Sequence, residues 1–206
     1  MKVAVSIHAT ENFDPNSLTG LKGLDYVHID VMDGKFVSSE NLNFDVFKVI
    51  KEKFEIPIIA HLMVNNPLDH IFNIIEFCYA ILFHFEIQED LNYIIKKIKE
   101  KGKKAGIVLN PETEVSEVLK YLPLLDLVLV LGVNPGWSGQ KFKLNTINKV
   151  NELATFKKQF SFLIDVDGGI DLTNAPLLEK ADILTSASTI LRAKDPNNVI
   201  LKLKGR

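Results

Sequence analysis

The chain has 206 residues, 47% of them hydrophobic, which is enough for one sizeable core and suggests a single domain spanning 1–206. With 24 Lys and Arg against 26 Asp and Glu, the formal charge of −2 gives no reason to expect a polyanion partner, so no nucleic-acid partner is expected. The single cysteine, Cys78, excludes an intrachain disulfide and suits a reducing compartment.

Apolar runs and helical spacing alternate along the chain. Lys2 to Ile7 reads as a first strand, too short and too soon interrupted by His8 to serve as a secretory leader. Leu24 to Val27 opens an apolar run, and Tyr26 to Val31 reads as the second strand. Phe44, Phe47, Ile50 and Phe54 share one helical face over 44–54, with Asn43 as the expected N-cap. Ile56 to Met63 is a third strand. Asn66-Pro67 opens a helix reaching Cys78, with Pro near the first helical position. Ile81 to Phe85 is a fourth strand, followed by a helix over 89–101 ended by Gly102. Lys104 to Leu109 is a fifth strand. A helix over 114–121 follows, stopped by Pro123. Leu125 to Val130 is a sixth strand. The most apolar window, Leu122 to Val133, is broken by Asp126 and falls short of the ~20 residues a bilayer span needs, so no membrane partner is expected. A helix over 143–158, a seventh strand at Phe162 to Val166, a short helix capped by Thr173 and an eighth strand at Ala181 to Leu184 complete the series. One or two helices follow from Thr189.

Sustained strand–helix alternation argues for a parallel sheet. About eight such units argue for a closed (β/α)8 TIM barrel, an eight-stranded parallel α/β fold. The competing open, doubly wound sheet is disfavoured because no Gly-rich dinucleotide fingerprint follows the first strand. The reading is of a soluble, cytoplasmic protein.

In such a barrel the functional residues sit at the C-terminal ends of the strands. Side chains two apart on a strand share a face, so His28 and Asp30 point together from the second strand, and Gly34 lets the chain turn away. An imidazole beside a carboxylate is half of a metal site or half of an acid–base pair. His61 ends the third strand and Asp167 the seventh. Two nitrogens and two carboxylates suit one divalent ion, with Zn, Fe, Mn and Co all open. His84 with Glu86 ends the fourth strand. Gly168-Gly169 and Ser186-Ala187-Ser188 follow the seventh and eighth strands, where small residues let backbone N–H groups approach a phosphate.

Taken together, Ser6-Ile7, His28 to Gly34 with Phe36-Val37, His61 to Val64 with Pro67, and His84 with Glu86 resemble the ribulose-phosphate 3-epimerase family. Asn134-Pro135-Gly136 with Gly139 to Phe142, Val166 to Ile170, and Ser186 with Ser188 extend the resemblance in order over nearly the whole chain. It implies a metal-dependent barrel that interconverts D-ribulose 5-phosphate and D-xylulose 5-phosphate. By that resemblance His28, Asp30, His61 and Asp167 are the metal ligands, and Asp30 and Asp167 the acid–base pair on opposite faces of the substrate. Ser6 and His61 touch the substrate. Gly136, Trp137, Ser138, Gly139, Gly168, Gly169, Ala187 and Ser188 surround it and hold its phosphate, and Met32 and Met63 line the reacting carbons. The implied partner is a small-molecule sugar phosphate, and a homo-oligomer is expected. The loop over 134–141, hinged at Gly136 and Gly139, is a candidate lid.

Several positions depart from the family pattern. His8 replaces an apolar residue on the face of Ser6, and Leu131 stands where a third methionine is common. Trp137 replaces phenylalanine, Ser138 and Ala187 replace glycines, and Ser38-Ser39-Glu40 replaces Pro-Asn. None removes an expected ligand. They bear on substrate choice, with a six-carbon ketose phosphate such as D-allulose 6-phosphate as the neighbouring possibility. A barrel that binds a sugar phosphate without turning it over has no need of two opposed carboxylates, but the changed phosphate loop at Ala187 keeps that alternative open. A decarboxylase or lyase would want a strand-end lysine, which is missing.

Overall fold

The computed structural model describes residues 1–8, 12–137 and 139–205. Eight parallel strands form a ring: β1 Lys2–His8, β2 Tyr26–Asp33, β3 Ile58–Met63, β4 Ala80–His84, β5 Lys104–Leu109, β6 Leu127–Leu131, β7 Leu163–Asp167 and β8 Ile183–Ser186. Each pairs with the next, and β8 closes on β1 from Lys2↔Ile183 to Val5↔Ser186. A two-residue strand, Glu40–Asn41, folds back antiparallel on the end of β2. The architecture is the (β/α)8 barrel that the alternation implied.

Among the described residues, seven α-helices pack outside the ring: α1 Asp45–Lys53, α2 Leu68–Ile74, α3 Leu91–Glu100, α4 Val115–Val118, α5 Asn145–Phe156, α6 Ser188–Leu191 and α7 Pro196–Leu203. Strand residues facing outward meet the buried helix faces in one continuous core, for example Ile29 and Val31 with Phe47 and Ile50. Burying a side chain such as Phe47 completely is worth about 1.5–3 kcal/mol.

The inward-facing residues form a second core with a division that matters for function. Ala4, Tyr26, Ile59, Ala80, Leu82, Leu127 and Ile183 fill the lower part of the barrel. Gly106 belongs there because a Cβ would meet a Leu82 methyl at 2.3 Å and the Leu127 carbonyl at 2.8 Å. One alternation step higher the lining turns polar: Ser6, His28, His61, His84, Asp165 and Thr185 are all buried. The barrel is thus plugged by hydrocarbon below and polar at its C-terminal mouth.

Local details differ from the sequence expectations. The helix expected over 114–121 is α only to Val118. It continues as a 3-10 helix, Leu119–Leu124, that contains Pro123 instead of stopping before it, since 3-10 geometry leaves room for the ring. The helix expected to reach Cys78 likewise tightens to a 3-10 turn at Ile75–Phe77. Asn43 does not occupy the N-cap position, which is Phe44, although its Oδ1 accepts from the Asp45 N–H at 3.1 Å. Among the described residues Thr173 is not the cap of the following turn, whose N-cap position is Asn174. Asp171 accepts from the N–H groups of Thr173 and Asn174 ahead of the 3-10 turn Ala175–Leu178. The third, sixth and eighth strands begin about two residues later than expected, where a neighbour first supplies the ladder partner. The helices over 89–101 and 143–158 are trimmed at both ends. Five strands run further than expected at their C-terminal ends, to His8, Asp33, Leu131, Asp167 and Ser186.

Candidate active site

The mouth of the barrel holds a cavity of about 280 Å³, lined by residues from the ends of β1, β2, β3, β6, β7 and β8. Asp30, His61 and Asp167 reach it, together with Ser6, His8, Met32, Met63 and Leu131. Gly136, Trp137, Gly139, Gly168, Gly169, Ala187 and Ser188 also line it. Ser138 lies outside the described residues. His28 does not line the cavity; it is wholly buried behind Asp30 and Asp167.

Asp30 is the hub. Its Oδ1 lies 2.9 Å from His61 Nδ1 and 3.2 Å from His28 Nε2, while Oδ2 accepts from Ser6 Oγ at 3.0 Å. His8 Nε2 stands 3.8 Å from the same Oδ2, and its Nδ1 lies 3.4 Å from the Asn41 amide. Asp167 Oδ2 is 3.7 Å from His28 Nε2, and its Oδ1 accepts from the Gly168 N–H at 2.7 Å. One ligand atom each from His28, Asp30, His61 and Asp167 falls within 4.8 Å of the others.

The electrostatics of this group call for positive charge. Burial depresses the His28 pKa, but the Asp30 carboxylate, 3.2 Å from its Nε2, together with the charges of Asp167 and Asp165 pushes it up to about 9. Burial raises Asp30, yet the His28 imidazole beside it holds it well below the usual carboxylate range. Burial and the neighbouring charges of Asp30 and Asp165 raise Asp167, against the pull of His28. Burial lowers His61 to about 4, which leaves its imidazole neutral at ordinary pH. Both ring nitrogens of His28 are buried without a hydrogen-bond partner among the described residues. A nitrogen–oxygen donor set of this kind, with an unsatisfied imidazole, fits a divalent ion such as Zn, Fe, Mn or Co.

The walls follow from local backbone constraints. Gly168 and Gly169 have φ of 98° and 71°, and a Cβ on Gly168 would meet a Val133 methyl at 2.6 Å. Only glycine fits between β7 and the loop leaving β6. Ala187 has φ −101°, so its methyl is carried without the left-handed backbone that would require glycine. In the loop over 134–140, the Gln140 amide donates to the carbonyls of Asn134 at 2.7 Å and Trp137 at 3.0 Å. Ser39 Oγ donates to the Gly136 carbonyl at 3.2 Å, so the loop after β2 touches the loop after β6. Met32, Val37 and Met63, with Phe36, form an apolar cluster along one side.

The structure also brings in residues that the sequence did not single out for the site. Asp165 lies one alternation step below Asp167, fully buried, with Oδ1 accepting from Thr185 Oγ1 at 2.9 Å and Oδ2 4.0 Å from His28 Nδ1. Its position two residues from Asp167 was the available signal. Thr185 and Thr189 line the cavity as well, as do Asn134 and Gln140 from the segments that carry the resemblance.

Fold and site together define a class: a (β/α)8 barrel enzyme with a histidine- and carboxylate-lined cavity at its C-terminal mouth. A model of the ribulose-phosphate 3 epimerase family matches residues 2–191. The ribulose-phosphate 3-epimerase of Treponema pallidum is 38% identical over 81% of this chain and 78% of its own. That of Bacillus subtilis is 36% identical over 89% and 87%. Among solved structures, KGPDC from Streptococcus mutans superposes with TM-score 0.74 over 99% of this chain and 95% of its own, at 13% identity. The 3-hexulose-6-phosphate synthase of Salmonella typhimurium gives 0.68 over 100% and 97%, at 17% identity. These two likenesses speak to the fold alone. The chain belongs to the ribulose-phosphate 3-epimerase family, and it is an isomerase of the epimerase type that acts on carbohydrates.

Proposed function

We propose that this chain interconverts D-ribulose 5-phosphate and D-xylulose 5-phosphate by moving the C3 proton between Asp30 and Asp167. The observation that carries the reading is that two carboxylates from β2 and β7 reach one small cavity with two imidazoles beside them. Inverting a carbon next to a ketone means taking its proton from one face and returning one to the other. A single carboxylate cannot reach both faces. Asp30 and Asp167 divide the task, one as base and the other as acid, and exchange roles in the reverse direction.

His28, Asp30, His61 and Asp167 would hold a divalent ion, which supplies Lewis-acid stabilisation of the negative charge that develops on the substrate oxygens. The residues do the remainder. Ser6 Oγ fixes the Asp30 carboxylate, leaving its hydrogen-bonded oxygens oriented before substrate arrives. The Gly168-Gly169 and Ala187-Ser188 segments border the part of the cavity suited to the phosphate, and holding it there sets C3 between the carboxylates. Met32 and Met63 give the reacting carbons a dry wall. Closure of the segment carrying Gly136, Trp137 and Gly139 over the bound sugar phosphate would exclude water from above.

The test is solvent exchange. Purified protein incubated with D-ribulose 5-phosphate in deuterium oxide is expected to place deuterium at C3 of substrate and product alike. Binding without incorporation would leave a sugar-phosphate sensor and end the two-carboxylate scheme. Turnover of D-allulose 6-phosphate in parallel fixes the substrate: a strong preference for the hexulose phosphate would overturn the pentulose assignment.

A further inference from the structure

Behind His61 runs a line of polar contacts that the reaction scheme leaves unused. His61 Nε2 lies 3.0 Å from His84 Nε2. The ring centroids are 5.1 Å apart and the rings are inclined by 27°, so with that N···N distance they meet edge to edge in nearly one plane. His84 Nδ1 lies 3.1 Å from Glu86 Oε2. Glu86 Oε1 accepts from the Asn110 N–H at 3.0 Å and from Thr113 Oγ1. Lys149, reaching across from α5, donates to the carbonyls of Asn110, Pro111 and Thr113 and so holds the loop that carries these donors. His61 and His84 are buried and Phe36 packs on the His84 ring at 4.4 Å, which keeps water out.

We propose that Glu86 and His84 are positioning residues that set the tautomer of His61, keeping its Nδ1 free of hydrogen and open to a cation. This rests on the reading of His61 as a metal ligand. The logic is one of donors and acceptors. An ionised Glu86 only accepts, so His84 carries its hydrogen on Nδ1 and presents a lone pair at Nε2. His61 must then donate from Nε2. Its Nδ1 lone pair is left facing Asp30 Oδ1 at 2.9 Å, two acceptors pointing at one spot. Such a pair is favourable only with a cation or a proton between them. The chain from Glu86 inward is therefore a device that biases the mouth of the barrel toward a metal ion.

Replacing Glu86 by Gln makes a sharp prediction. The Asn110 N–H is a fixed backbone donor, so the amide oxygen takes the Oε1 place and the NH2 faces His84. His84 then moves its hydrogen to Nε2, His61 accepts there, and its own hydrogen goes to Nδ1, into the ligand position. Co2+ titrated into chelator-stripped E86Q should bind about 10–100-fold more weakly than to the unsubstituted protein. In metal-free E86Q, 15N shifts of the imidazoles should report His61 with hydrogen on Nδ1. The Thr113→Val variant removes one donor to Glu86 without changing what His84 meets, and should bind Co2+ within about threefold of the parent. In the unsubstituted metal-free protein, the same spectra should show hydrogen on His84 Nδ1 and His61 Nε2, a measurement that stands even if E86Q does not fold. The opposite pair of tautomers there, or E86Q binding Co2+ as tightly as the parent, would overturn the proposal. If the unsubstituted protein took up no Co2+ while its tautomers were as expected, the metal reading would fail and the hydrogen-bond relay would stand.

Discussion

Asp165 and Asp167 leave β7 on the same face, two residues apart, and meet opposite surroundings. Asp165 is sealed in the barrel with Thr185, and Asp167 opens on the cavity. Burial raises both carboxyl groups, Asp165 to about 6. Their difference in access fits the proposed role of Asp167 as a proton carrier and leaves Asp165 as a buried charge beside His28.

Asp167→Asn should therefore lower the epimerisation rate by about 10²–10⁴-fold, because one face of the carbon loses its proton carrier. Asp165→Asn keeps the Thr185 hydrogen bond and both carriers, and should cost less than about tenfold. It should also lower the pKa of His28 in the metal-free protein, since one of the three carboxylates that raise it is gone. Steady-state rates and an NMR titration of His28 check the two halves. Near-normal turnover of Asp167→Asn would contradict the assignment.

Metal uptake should depend on pH in a defined direction. Below its pKa of about 9, His28 in the metal-free protein binds a proton that a cation must displace. Affinity should rise with pH, by about tenfold per unit for one displaced proton, and flatten above that pKa. Chelation should abolish turnover, and a divalent ion should restore it. Calorimetric Co2+ titrations in buffers of different ionisation enthalpy, from about pH 6 to pH 8, would show the proton release; pH-independent affinity would refute it.

Gly132→Ala should disturb the site without touching it. A Cβ at Gly132 would sit 2.4 Å from the Gly168 carbonyl and 2.7 Å from the Phe142 ring. The Gly132 N–H also donates to the Asp167 carbonyl at 2.6 Å. Relieving the clash displaces the end of β7, so a loss of about 1–3 kcal/mol in stability is expected together with reduced turnover. Thermal melts and rates would report both; an unchanged melting temperature would show that the two loops are not in the tight contact described.

Trp137 is the chain's only tryptophan and is 60% exposed on the loop over 134–140 while also lining the cavity. If the loop closes over a sugar phosphate, the indole leaves water. Its emission should shift to shorter wavelength on adding D-ribulose 5-phosphate to the unsubstituted protein loaded with a divalent ion. A spectrum that does not move would mean a fixed loop.

The strands and the four clustered residues were legible because they follow short-range rules. The alternation of His28 with Asp30 fixes one face, and the end of an apolar run fixes the height. Asp165 obeys the same alternation, but whether a carboxylate lies inside the cavity or one layer beneath depends on register with β6 and β8, which no local pattern records. His84 with Glu86 was visible as a strand end. Its contact with His61 arises only when β3 and β4 pair with His61 opposite Leu82, so that His84 stands one step above. Lys149 reads as one more lysine on a helix, and its reach to three carbonyls of another loop leaves no mark in its neighbours. Pro123 misled because its effect depends on the type of helix around it.

The closure of β8 on β1 has a consequence for how the enzyme comes into being. His28, Asp30 and His61 are translated within the first third of the molecule, while Asp167 waits for the last, and only the final seam between Ile183–Ser186 and Lys2–His8 draws the two groups round to face each other. A nascent polypeptide halted before that seam would already own every acid and imidazole it needs and still be no catalyst. Activity should therefore switch on in one step during synthesis, when β8 finds β1.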